Sequence, residues 1–403
     1  MPPLATRTLS CLTALVLGAS TAPSWAQEGV KIGVLTDMTG QFADNTGAGS
    51  VAAAQLAIED FGGSVLGRKV ELVSADHQNK PDIASARARE WFDQQGVDAV
   101  TELVNSAVAI AVMKVAADKK KIAMAMGSGS TRITGEDCTP YGSQWAYNSY
   151  ATANTAAKAL IDAGKDTWFF ITADYAYGQS TERDASAIVQ SLGGRIVGSV
   201  KHPLNAPDFA SYLLAAQASG AKVVVLASAG ADTVNAVKQA KEFGLTGAVT
   251  FVSPSMVINE VHGLGLDAAQ GMYLTEGFYW DMNDATRAFA QRFFARADKM
   301  PNMAQAAMYA AVTHYLKAVR AAGTKDADAV MARMRTTPVS DPLTSNGRLR
   351  ADGTMVHDMT LFQVKPPAQS RKPWDYMAAR VTVPGDQAFA PLSASRCPLV
   401  KER

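Results

Sequence analysis

Histidine and cysteine are scarce in this chain of 403 residues, at five and three. His77, His202, His262, His314 and His357 stand far apart, and no Cys-x-x-Cys occurs, so the spacing offers no metal-ligand set. Most of the histidines are expected to be exposed or to sit in loops. A charge excess is also missing, with 38 Lys+Arg against 37 Asp+Glu. Nucleic-acid binders carry a basic surplus or stripe, and the longest cationic run here, Lys119-Lys120-Lys121, reads as a helix end. There is no G-x-x-x-x-G-K-[ST] loop and no G-x-S-x-G elbow. Gly47-Ala48-Gly49-Ser50-Val51-Ala52 fits G-x-G-x-x-A, but it stands too far beyond the preceding strand for the tight turn that a dinucleotide requires. No cofactor is expected. Charged residues at 19%, hydrophobic residues at 48% and only 17 prolines exclude a disordered or fibrous chain.

The first 26 residues read as a targeting segment. Arg7 precedes a short apolar stretch from Leu9 to Leu17, and Ser24-Trp25-Ala26 fits a small-x-small cleavage site. A Sec-type signal peptide cut after Ala26 is the expectation. The alternative, a membrane anchor, needs about 20 apolar residues, and neither this stretch nor any later one supplies them. Export to the periplasm follows. It leaves Cys138 and Cys397, which an oxidising compartment would pair; two unpaired thiols are the other possibility.

From Val30 onward, strand-like and helix-like stretches alternate. Val30–Leu35, Val70–Val73, Val97–Val100 and Ile122–Met126 read as strands, with helices between them. The same grammar restarts at Ala151, with strands at Thr167–Ile171, Arg195–Val200, Lys222–Leu226 and Val249–Val252. Two such runs predict an α/β fold of two doubly wound, Rossmann-like lobes. A helix-rich third quarter follows (Ala285–Ala297, Met303–Ala322 and Asp326–Arg335), then two β-rich pieces at Thr360–Val364 and Tyr376–Val383.

In open α/β sheets, ligands sit beyond the carboxyl ends of the strands. Those ends read Asp37-Met38-Thr39-Gly40, Asn105-Ser106-Ala107 and Ser128-Gly129-Ser130-Thr131 in the first run. In the second they read Asp174-Tyr175-Ala176-Tyr177, Ser228-Ala229-Gly230 and Ser253-Pro254-Ser255. They are rich in hydroxyls and small residues, and hold no nucleophile–histidine pair, metal cluster or acid pair, so an enzyme is not expected. Hydroxyls at helix starts suit an anion, although any one of these serines also fits as a simple N-cap.

Ile32-Gly33-Val34-Leu35-Thr36-Asp37-Met38-Thr39-Gly40, Asn105-Ser106-Ala107, Tyr177-Gly178 and Phe243-Gly244-Leu245, in this order, resemble the type I periplasmic solute-binding proteins of ABC importers, in the branched-chain amino acid superfamily. The resemblance implies two lobes joined by three hinge segments, near Tyr147–Tyr150, Glu276–Asp281 and Pro338–Arg350. Lobe one would be 28–147 plus 280–345, lobe two 148–279 plus 346–385, and 386–403 a tail packed across the hinge, where Cys397 would meet Cys138. It also implies a monomer that hands a small carboxylate ligand to a membrane permease, with no nucleic acid partner.

By the same resemblance, Ser106, Ser128 and Ser130 hold the ligand's carboxylate, Tyr177 and Ser255 face it from lobe two, and Asn45 lies on the first loop near Phe42. Amino-acid binders of this kind place an acid just after a proline in lobe two, to pair with the ligand ammonium. Here Ser255 follows Pro254, so a carboxylate without an α-amino group is expected, since an unpaired buried ammonium is costly. Thr134-Gly135-Glu136-Asp137-Cys138-Thr139-Pro140 and Phe278-Tyr279-Trp280-Asp281 are similar to a branch that binds aromatic acids. Tyr175, Tyr177, Phe278 and Tyr279 would supply flat walls; for Phe278 and Tyr279, packing in the hinge is the alternative. An amino-acid binder or a ligand-sensing module of the same fold is the rival to the aromatic-acid reading.

Overall fold

The computed structural model describes residues 29–341 and 344–400, besides Met1. Of the expected signal peptide, residues 1–26, all but Met1 lie outside the described residues. The chain begins with β1 (Lys31–Thr36), α1 (Gly47–Asp60), a short ribbon of β2 (Ser64–Val65) and β3 (Arg68–Lys69), and β4 (Glu71–Asp76). It continues through α2 (Pro81–Gln94), β5 (Ala99–Glu102), α3 (Ser106–Asp118), β6 (Ile122–Ala125) and β7 (Gly142–Gln144). These strands form a parallel sheet in the order β4-β1-β5-β6-β7. The apolar runs of β5 and β6 are buried along their full length, as strands covered by helices on both faces must be.

The second run comprises α4 (Ser149–Asp162), β8 (Thr167–Ala173), α5 (Ala176–Ser191), β9 (Arg195–His202), α6 (Ala210–Ala218), β10 (Val223–Ala227) and α7 (Ala231–Glu242). It ends with β11 (Thr250–Val252), α8 (Ile258–Leu264), α9 (Leu266–Ala269) and β12 (Tyr273–Glu276). Its strands are parallel to one another, and the late β16 (Met359–Val364) and β17 (Met377–Val383) extend the sheet antiparallel from β12, in the order β17-β16-β12-β11-β10-β8-β9. β8 is fully buried in the interior, whereas the edge strand β9 alternates exposed and half-buried residues.

The helix-rich third quarter is α10 (Asp284–Ala297), α11 (Met303–Ala322) and α12 (Ala327–Thr336). Asn302 and Gln305 form a capping box at the start of α11, and Gly323 ends it in the left-handed region. α10 and α11 pack on α1 of the first lobe. Arg292 grips Asp60 through both carboxylate oxygens at 2.6 and 2.8 Å, and the Tyr309 hydroxyl donates to the same carboxylate at 2.7 Å. A small sheet of β13 (Val339–Asp341), β14 (Thr344–Leu349) and β15 (Met355–Val356) then leads back, and Thr354 bridges Gln144. β13 packs on α11 and β14 on α12, and the chain joins the second sheet at β16.

His357 ties the passages together. Its Nε2 faces the carbonyls of Trp145 and Ala146 at 3.2 and 3.0 Å, and its ring packs edge-on to Phe389. Burial lowers its pKa. The expectation of exposed or loop histidines fails for His202, on β9, and His314, in α11, which are buried; His77 is buried too, but in the loop after β4.

The tail begins with α13 (Gly385–Ala388), which packs on α4; the Asn154 amide donates to the Gln387 and Ala388 carbonyls and Arg350 to the Ala390 carbonyl. The tail ends in a disulfide between Cys397 and Cys138. A crosslink between residues 259 positions apart restricts the unfolded chain strongly in the loop-entropy account. The Cys138→Ser, Cys397→Ser double variant is therefore expected to lose about 2–4 kcal/mol of stability. Urea denaturation of the oxidised wild type and the variant measures the difference.

Candidate functional site

Each lobe has one place where neighbouring crossovers leave in opposite directions. In the first sheet it lies between β1 and β5, and in the second between β8 and β10. The loops that leave these four strands, and the one after β11, face one another across a cleft. From lobe one come Phe42, Asn45 and Thr46 after β1, and Val104, Asn105 and Ser106 after β5. From lobe two come Tyr175 and Tyr177 after β8, Ala229 after β10, and Ser255 and Val257 after β11. Gly127 and Gly129 close the floor, with Tyr147 from the first hinge passage and Met303 and Ala304 from the start of α11. The space amounts to about 450 Å³, open solvent included.

The lobe-one wall is built to donate hydrogen bonds. Glu102, Leu103 and Asn105 all have positive φ (82°, 58° and 78°), a strained run that turns the chain from β5 into α3. The Asn105 side chain caps α3 by accepting from the Ala107 N–H at 2.8 Å. Ser106 is fully buried, and its Oγ accepts from the Ser130 N–H at 3.1 Å, leaving its own proton to donate. The helix start behind it favours negative charge. Glu102 underpins the floor, its carboxylate accepting from Ser50 Oγ at 2.5 Å and from the Gly127 N–H at 3.0 Å. Burial pushes its pKa up from 4.5 to about 7, against the pull of those two bonds.

The lobe-two wall is aromatic. Tyr177 stands edge-on to Tyr147, with ring centroids 6.2 Å apart, and 6.1 Å from Tyr175. The Tyr177 hydroxyl is buried without a hydrogen-bond partner, and burial pushes its pKa up to about 12, while nearby Ser255 and Thr181 pull the other way. Gly129 lets two of these rings in: a Cβ there would stand 2.4 Å from Tyr147 Cε2 and 2.6 Å from Tyr177 Cε2.

The cleft is drawn shut by contacts between lobes. Ser130 Oγ meets Ser180 Oγ at 2.7 Å, Thr131 donates to Asp184 at 2.7 Å, and the Asn302 amide donates to Asn259 at 2.7 Å. The structure thus brings Asn45, Ser106, Tyr175, Tyr177 and Ser255 to one cavity. Ser128 and Ser130 flank its floor, but their hydroxyls are turned to the Leu103 carbonyl and to Ser180. Phe278 and Tyr279 are elsewhere, a correction to the expected flat walls. Phe278 packs edge-on to Phe289 beside a separate hinge cavity, and Tyr279 packs on Phe362 and donates to the Trp374 carbonyl at 3.0 Å. Both ride the second passage away from the strand ends.

No acid is among the residues that line the cleft, but one is buried behind the lobe-two wall. Glu260, in the first turn of α8, is 4% exposed, and its Oε2 accepts from the Val257 N–H at 2.8 Å. The Asn45 amide and the Gly230 N–H stand near and favour the charged form, but burial dominates and raises the pKa to about 7. The signal for Glu260 was its place three residues into a helix that starts at a strand end. Tyr147 was legible only as a hinge residue.

Two outcomes follow from this geometry. The folded chain binds the Glu102 proton more tightly than the unfolded chain, so that contribution to stability is full below about pH 4.5 and is lost as pH rises toward 7. Glu102→Gln, which mimics the protonated form, should gain stability relative to wild type between about pH 5 and pH 8, by up to about 3 kcal/mol; urea midpoints at both pH values test it. Gly129→Ala forces Tyr147 and Tyr177 apart and should weaken ligand binding about tenfold or more, at a stability cost of roughly 1–3 kcal/mol. Titration calorimetry beside thermal unfolding separates the two effects.

Comparison with known proteins agrees with this architecture. Residues 29–371 match a family model described as periplasmic binding protein. A periplasmic binding protein from Burkholderia mallei superposes with a TM-score of 0.90 at 47% identity, covering 93% of this chain and 100% of the other. A branched chain amino acid ABC transporter periplasmic ligand-binding protein from Burkholderia xenovorans gives 0.84 at 44% identity, covering 92% and 99%. A solute-binding protein of an ABC transporter from Rhodopseudomonas palustris, solved in complex with 4-hydroxybenzoate, gives 0.81 at 21% identity, covering 88% and 97%, a likeness of fold alone. The chain belongs to the type I periplasmic binding proteins of ABC transporters, a family of non-enzymatic substrate-binding components.

Proposed function

We propose that this chain, exported by its first 26 residues and cleaved after Ala26, captures a small organic carboxylate with an apolar, aromatic-compatible body. Lobe one (28–147 plus 280–345) and lobe two (148–279 plus 346–385) close on it, and the closed monomer is read by a membrane permease. The observation that carries this reading is the pairing of walls. Ser106 and the start of α3 offer donors and a favourable dipole, while Phe42, Tyr147, Tyr175 and Tyr177 offer flat apolar surface. Closure removes water and strengthens each bond, and the ligand acts by shifting the population toward the closed form.

An amino acid is the second reading, and Glu260 is the observation that favours it. Its buried carboxyl removes the objection to an ammonium that Ser255 raised.

Thermal unfolding with benzoate, benzamide, 4-hydroxybenzoate, leucine and short dicarboxylates tests the reading. A ligand at about 100 times its Kd adds about 2.7 kcal/mol, so a carboxylate should raise Tm where benzamide does not. Stabilisation by benzamide equal to that by benzoate, or by none of the carboxylates, overturns it. Tyr177→Ala should weaken the bound carboxylate about tenfold or more; unchanged binding would remove this tyrosine from the site.

A further inference from the structure

The loop between β4 and α2 contributes no residue to the cleft lining, yet two of the lobe-one loops that do are hydrogen-bonded to it. Asp76, at the end of β4, accepts from the Met38 N–H at 3.2 Å and from the Thr39 hydroxyl at 2.7 Å, both in the loop after β1. Asn79, two residues before Pro81 opens α2, accepts through Oδ1 from the Asn105 side-chain amide at 2.6 Å, in the turn after β5. Asn105 is buried and uses both ends of that amide, since its Oδ1 takes the Ala107 N–H at 2.8 Å. Its backbone, at φ 78° and ψ 117°, lies outside the left-handed helical region as well as the right-handed one. Such a conformation persists only where the surroundings hold it. Of the two side-chain hydrogen bonds of Asn105, the one to Asn79 comes from outside the turn and the one to Ala107 from within it.

Asn79 is itself held. Its φ of 57° and the 53° of Gln78 are left-handed, and its N–H donates to His77 Nδ1 at 3.0 Å. A backbone N–H can only donate, so that ring nitrogen keeps its lone pair and the imidazole is neutral. His77 is fully buried, and burial lowers its pKa to about 4, although Asp37 and Asp76 face it and pull the other way.

We propose that Asn79 is a positioning residue for the carboxylate grip: it lines no part of the cleft, but by holding the Asn105 amide it fixes the turn that presents Ser106 and the start of α3. The assignment rests on the carboxylate reading given above. Donors grip an anion only when they are aimed at it, and the aim comes from the residues that support them. Without the bond to Asn79, the Asn105 side chain keeps only its bond inside the same turn, and the first turn of α3 is free to shift.

Glycine at position 79 separates this role from service to the loop alone. It takes a φ of 57° at no steric cost but offers no acceptor. Gln78→Gly is the control, because it loosens the same loop at the adjacent left-handed position, where the side chain is exposed and the backbone N–H makes the bond, to Asp76 at 2.7 Å. In the ligand-free protein, amide hydrogen exchange across 103–108 should quicken about threefold or more in Asn79→Gly and keep the wild-type rate in Gln78→Gly. Titration calorimetry with the carboxylate that most stabilises the wild type should show binding weakened about three- to tenfold in Asn79→Gly and unchanged in Gln78→Gly. Wild-type behaviour of Asn79→Gly overturns the assignment, as does a change in one readout without the other, or a loss that Gln78→Gly shares. Failure of every carboxylate to bind the wild type overturns the carboxylate reading and this assignment with it; the exchange rates, taken without ligand, keep the two failures apart.

Discussion

Polar groups at strand ends, brought face to face and cut off from water, must find partners across the gap. That requirement governs the cleft. In a single α/β lobe, the hydroxyls and N–H groups at a switch point are satisfied by solvent or ligand. Here two switch points oppose each other, so each lobe completes the other. Ser130 meets Ser180, Thr131 meets Asp184, and Asn302 meets Asn259. Tyr177 Oη, at the cleft, is among the groups left buried without a partner. Unpaired polar atoms in a closed cleft oppose closure by roughly 1–3 kcal/mol each, so whatever pairs them stabilises the closed form by the same order.

Close approach is the second condition. The first turn of α5 is pressed so tightly against two strand ends that a Cβ on Gly178 would lie 2.0 Å from the Ala173 carbonyl oxygen and 2.9 Å from that of Ala227. That contact gives the Tyr177-Gly178 pair a physical meaning: the glycine seats the helix and the seated helix aims the tyrosine. The hinge carries the same economy of space. His357 joins the third passage to the carbonyls of the first, and the disulfide-anchored tail runs over the same junction from α4 to Cys138.

The two sheets and the loops at their carboxyl ends were legible because buried parallel strands read as short apolar runs broken by glycine and hydroxyl residues. β12 was not, since Tyr273–Glu276 is four residues of mixed character whose place in the sheet depends on pairing with β16 far along the chain. β7, Gly142–Gln144, escaped for the same reason; it holds no apolar residue and gains its burial from β6 and the Thr354 bridge. Ser106 and Tyr177 were legible as strand-end residues, and Asn45 only through the family resemblance. The turned-away hydroxyls of Ser128 and Ser130 were not, because which partner a serine faces is settled by tertiary contacts. Phe278 and Tyr279 misled because an aromatic beside a strand end looks the same whether it points into the cleft or into the hinge.

The distribution of charge in the cleft fixes more than affinity. Lobe one offers Ser106, backbone N–H groups and a helix start, none of them carrying a full positive charge. Lobe two offers hydroxyls and, behind them, Glu260, whose charge adds to burial in disfavouring ionisation of Glu276. Neutral donors hold an anion without repelling a cation at its other end, and an acid that is uncharged for part of the time can meet either an ammonium or a hydroxyl. The hydroxyls and helix start of one wall and the rings of the other are thus unlike surfaces, and a ligand with one polar and one flat apolar end matches them in a single orientation.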